Sequence, residues 1–139
     1  MEGNWKFQLR VNVSAQLAAA LRGDPACRAH DGLHDVLRRH NASMICQYDA
    51  FAEYVNEAQR FGPDNYPLYQ WTRDTIENPA KKAKYLETFT VYVDDEAIYD
   101  KSVADSLEAG LAPLVDAAQI RSIARFDTNP ANSPQPPAR

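Results

Sequence analysis

A chain of 139 residues with a formal net charge of -4 is long enough for one domain that buries about two thirds of its unfolded surface without help from disulfides or metals. The acidic balance excludes a nucleic-acid backbone as the expected partner, because that contact needs a concentrated positive face. Two cysteines are too few for a disulfide framework, and no apolar run near Met1 resembles a signal peptide or membrane span, so the expected setting is the reduced cytoplasm, away from membranes.

Trp5, Phe7, Leu9, Val11 and Val13 alternate with Lys6, Gln8, Arg10 and Asn12, the period of a half-buried strand. Ser14 is placed to cap a short helix through Leu17, Ala18 and Leu21, and Gly23-Asp24-Pro25 stops it. Leu33, Val36, Leu37 and His40 form the stripe of a second helix that ends at Asn41. Ala42 to Tyr48 is short and apolar and reads as a strand, with a helical alternative. Asp49 then caps a helix whose Phe51, Tyr54, Val55 and Ala58 share a face and which ends at Gly62-Pro63. Pro63 to Pro67 is a connector. Leu68, Trp71, Thr72 and Ile76 predict another helix, restarted at Asn78-Pro79 with Asn78 as cap.

Phe89, Val91 and Val93 alternate with Thr88, Thr90 and Tyr92, predicting a second clear strand. Asp94-Asp95 turns the chain, and Glu96 to Tyr99 is expected as a short return strand. Val103, Leu107, Gly110, Leu111, Leu114, Val115 and Ala118 keep one helical phase past Pro113, where a kink or fresh first turn is expected. Ile120 to Phe126 closes the unit as a strand. From residue 128 onward the chain is polar and proline-rich, a tail that cannot pack as helix or strand. The expected organisation is one α+β domain over residues 1-127 and this tail over 128-139. The fold expectation is a ferredoxin-like antiparallel or mixed sheet of four to five strands, helices mainly on one face, and an inserted helical segment.

Cys27, His30 and His34 are spaced C-x2-H-x3-H, which on a helix sets the two histidines one turn apart, yet a fourth ligand is missing nearby. They stay low-ranking metal candidates, and no metal or cofactor is expected. Cys46 precedes Asp49, but a buried core cysteine is the plainer reading than a nucleophile. Lys81, Lys82 and Lys84 read as a solvated helix face, and Asp94, Asp95 and Glu96 as a solvated hairpin tip that lacks the spaced oxygens of a calcium loop. No phosphate loop, nucleophile elbow or HExxH run occurs, and no catalytic residue is assigned.

Seven of the aromatic residues (5 Phe, 7 Tyr and 2 Trp in all) fall between Tyr48 and Trp71. Tyr48, Tyr54, Tyr66, Tyr69 and Trp71 are the expected contact anchors, since large amphipathic rings around a connector suit a partner surface. Pro134, Pro136 and Pro137 join them, because a proline-rich segment docks at low entropic cost. The function expected is a non-catalytic interaction protein, such as an accessory subunit or regulator, with a protein partner or a second copy. Two alternatives remain: a small enzyme or small-molecule binder with a pocket near residues 48-71, and a metal-binding protein.

Overall fold

The computed structural model describes residues 6-127; Met1 to Trp5 lie outside it, as does the stretch 128-139 with Pro134, Pro136 and Pro137. Among the described residues there are four strands and six α-helices. They are β1 (Phe7–Val13), α1 (Ala15–Leu21), α2 (Asp31–Arg39), β2 (Ala42–Cys46), α3 (Gln47–Phe61), α4 (Tyr69–Glu77), α5 (Pro79–Leu86), β3 (Thr88–Val93), α6 (Lys101–Leu111) and β4 (Ile120–Asp127). The strands form one antiparallel sheet in the order β2-β3-β1-β4. The fold class is α+β.

Strand alternation decides what each face carries. Leu9, Val11 and Val13 are fully buried, as are Phe89 and Val91, and Met44 lies beside them. They form one core with Leu17 and Leu21 of α1, Leu33 and Leu37 of α2, and Leu107 and Leu111 of α6. A strand sends neighbouring side chains to opposite faces, so Arg10, Asn12, Thr88, Thr90 and Ile45 stand on the other side of the sheet. Close helix packing has its own residue: a Cβ on Gly110 would lie 3.1 Å from Val36 Cγ1, so the missing side chain lets α6 approach α2.

Local chemistry sets the ends. The Ser14 hydroxyl accepts from Leu17 N at 3.1 Å and starts α1, and the Asn78 amide oxygen accepts from Lys81 N at 3.1 Å and starts α5 at Pro79. Asn41, at φ 52, turns the chain out of α2 in the left-handed region that asparagine tolerates. His40 closes that helix, its Nδ1 2.8 Å from the Val36 carbonyl and its Nε2 3.1 Å from Ser106 Oγ on α6.

Three expectations need correction. α3 begins at Gln47 with Cys46 in the capping position, so Asp49 lies in its first turn and pairs with Arg22 at 2.6 Å instead of capping it. The helix read through Ala118 ends at Leu111, followed by a 3-10 turn over Ala112–Leu114, and Val115 and Ala118 are exposed. Pro113 cannot continue the ladder, and the Asp116 carboxylate offers the backbone another partner, accepting from the amides of Ala118, Gln119 and Ile120 at 2.8 to 3.0 Å. Those amides hold the Asp116 carboxyl below its usual range.

Glu96 to Tyr99 is also not a strand. Asp94 and Asp95, both at positive φ, make a tight turn, but only Glu96 pairs back, with Val93. The chain then crosses to β1, where Tyr99 exchanges backbone bonds with Phe7 at 2.7 and 2.9 Å. The buried Tyr99 hydroxyl accepts from Leu9 N at 2.8 Å and donates to the Val91 carbonyl at 3.0 Å. One phenol thus bridges β1 and β3 where their own pairing has ended, and burial pushes its pKa up.

Candidate functional site

The helices α3, α4 and α5 fill the connection between β2 and β3, with Val55, Ala58, Thr72 and Thr75 buried among them and ring contacts beside these. Phe51 packs edge-on against Trp71 at 6.1 Å and against Tyr85 at 5.0 Å, one ring from each of the other two helices. Tyr54 meets Tyr66 edge-on at 5.4 Å, and the Tyr54 hydroxyl accepts from Leu68 N at 3.1 Å. Trp71 and Tyr54 are half-buried in these contacts. Tyr48 is half-buried as well: it packs on the main core and lies between Arg22 and Lys82, 5.7 and 5.4 Å from its ring centre.

Tyr66 and Tyr69 are placed differently. Each flanks Pro67 and is fixed by its hydroxyl, Tyr66 donating to Glu57 at 3.0 Å and Tyr69 accepting from Gln59 Nε2 at 3.2 Å. Desolvation and the Glu57 carboxylate push the Tyr66 phenol up, so it stays a donor at neutral pH. With Pro63, Asp64, Pro67 and Gln70 these two rings line a surface hollow of about 380 Å³. Of the five aromatic anchors expected, the structure brings two together around one hollow.

The metal candidates do not share such a place. His30 caps α2, its Nδ1 accepting from Leu33 N at 3.2 Å, and His34 Nδ1 lies 2.9 Å from the Ala26 carbonyl. Cys27 is fully buried, and desolvation, with Asp24 adding to it, pushes its thiol up to about 12. Among the described residues no group of three or more His, Cys, Asp or Glu side chains is arranged to hold a metal ion. Cys46 is also buried, its Sγ 3.4 Å from the Tyr85 carbonyl, and burial raises its pKa too. Burial favours the thiol over the thiolate at both cysteines.

Arg10 is half-buried in the fold. In the sequence it is one polar position in an alternating strand, and nothing local shows whether a carboxylate will meet it. In the fold its guanidinium stands 4.2 Å from the centre of the Phe126 ring on the face of the sheet away from the core.

No protein family, curated protein or solved structure matches this chain. Among the described residues no helix is long and apolar enough to cross a membrane.

Proposed function

We propose that this chain is a non-catalytic protein-interaction module, a small accessory subunit or regulator of a larger assembly that works in the cytoplasm with a protein partner or a second copy. The observation that carries this reading is the hollow around Tyr66, Pro67 and Tyr69. Proline and hydroxyl-anchored tyrosines lose little freedom on contact, so a surface built from them spends little binding energy on ordering. The scaffold beneath it is read as a ferredoxin-like sandwich with helices mainly on one face and α3 to α5 as the inserted segment. The strand order β2-β3-β1-β4, with α1 and α2 between β1 and β2 and α6 between β3 and β4, supports that reading.

The test uses the exposed lining residues, whose replacement leaves the ring packing alone. Tagged full-length protein and an Asp64→Arg, Gln70→Arg variant are compared as bait in native lysate at matched salt. The expected result is a stoichiometric partner on the wild-type chain that is depleted at least about tenfold on the variant, the loss of a well-placed contact of about 1.4 kcal/mol. Equal recovery on both baits would remove the hollow as the contact surface.

A further inference from the structure

We propose that the hollow around Tyr66 and Tyr69 takes the proline-rich segment Pro134 to Arg139 of a second copy of this chain. This rests on the reading of the hollow as a contact surface and names what fills it. Two proline rings and two tyrosine rings line the hollow, together with Asp64 and Gln70. Phe61, two positions before Pro63, is 60% exposed, more than any other large hydrophobic among the described residues. Proline-rich segments in the polyproline II conformation dock on surfaces of this composition, because flat rings meet flat rings and the ligand has little freedom left to lose.

The tail has the matching form. At three residues per turn, Pro134-Gln135-Pro136-Pro137-Ala138-Arg139 would set Pro134 and Pro137 on one edge and Pro136 and Arg139 on the next. A ridge of proline rings then ends in one guanidinium. The lining of the hollow holds one carboxylate, the exposed Asp64, and no cationic side chain, so it suits a segment that carries an arginine and suits an acidic peptide less well. Proline has no N–H, so the segment presents mainly carbonyl oxygens and the hollow must donate. The Tyr69 hydroxyl accepts from Gln59, which leaves its own hydrogen to give, and Gln70 Nε2 spends one of its two hydrogens on Asp74 at 2.9 Å.

The topology favours a second copy over the chain's own tail. Asp127, where the tail departs, is opposite Phe7 at one end of the sheet. The α3 to α5 region leaves β2 after Cys46 and rejoins β3 at Thr88, in line with Val11 and Asn12 at the other end. Residues 128-133 reach at most about 20 Å, and the run of β1 from Phe7 to Asn12 uses about 17 Å of that. The chain's own tail would spend its reach on running back along the sheet, whereas the tail of another copy approaches the hollow directly.

The test follows isotope-labelled full-length protein by NMR while unlabelled full-length Ser133→Cys protein bearing a nitroxide is added; Cys27 and Cys46 are buried, which directs the nitroxide to position 133. Saturable line broadening is expected at the amides of Asp64, Tyr69 and Gln70 and not at Ala109 on α6. Added chain that also carries Pro134→Ser and Pro137→Ser should need at least about tenfold more to do the same. The labelled chain keeps its own sequence throughout, so loss of its fold cannot imitate loss of binding. Asp64→Arg in the labelled chain should weaken the effect, and Arg139→Glu in the added chain should then restore part of it. Broadening that rises linearly without saturation, or a proline-substituted chain that acts like the unsubstituted one, would overturn the proposal. So would broadening that occurs only when the labelled chain itself bears the nitroxide and that survives dilution, since the chain's own tail would then be the occupant. No broadening from the added chain, with a lysate partner still depleted by Asp64→Arg, Gln70→Arg, would remove the tail and leave the hollow standing as the contact surface.

Discussion

The main core and the α3 to α5 region are held by different chemistry. In the core, aliphatic side chains from the sheet and from α1, α2 and α6 lose nearly all contact with water, and stability there scales with buried apolar area. The α3 to α5 region combines a small buried set, Val55, Ala58, Thr72 and Thr75, with edge-on rings that stay half-exposed, and Tyr54, Tyr66 and Tyr69 are tied by their hydroxyls to neighbours. A region built this way keeps its shape while presenting ring surface to solvent, which a dry aliphatic core cannot do. The difference puts the dry aliphatic core and the exposed ring surface in separate parts of one chain.

The largest effect expected from breaking this contrast is in the core. Leu111→Ala removes a fully buried side chain of α6 and should cost about 2–5 kcal/mol, read as a lower denaturant midpoint with unchanged slope. A midpoint that did not move would mean that α6 does not seal the core. A smaller and local effect is expected from Phe51→Leu, which deletes both edge contacts of α3 with Trp71 and Tyr85. Its cost should be about 1–2 kcal/mol, with faster hydrogen exchange in α4 and α5 and unchanged exchange in β1 and β3. Equal acceleration in the strands would show that the two regions open as one unit.

Much of the main core was readable because it is written locally. Phe7 to Val13 and Thr88 to Val93 alternate, Leu107 and Leu111 keep helical phase, and Ser14 and Asn78 cap where capping residues belong. The failures have two causes, a partner far away in sequence and a local turn that overrules an apolar period. Tyr99 has the composition of a strand residue, but its hydroxyl bridges Leu9 and Val91, and nothing near residue 99 reveals the gap between β1 and β3 that it fills. Val115 and Ala118 continue an apolar period that Pro113 and the Asp116 turn overrule. Clustering marked the aromatic segment in the sequence but not which of its rings would pack against one another. Phe51 meets Tyr85 from 34 positions further on, so the division of labour between Trp71 and Tyr69 depends on how the helices cross.

The central claim, that the chain meets its partner through the hollow on the α3 to α5 region, is tested most directly by site-specific photo-crosslinking in the native cell. A photoreactive side chain is placed at Gln70, which lines the hollow, and in a second protein at Ala109, exposed on α6. The account predicts a discrete protein adduct from position 70 and none from position 109. An adduct from position 109 alone, or no adduct from position 70 in cells where the chain is assembled with its partner, would contradict it.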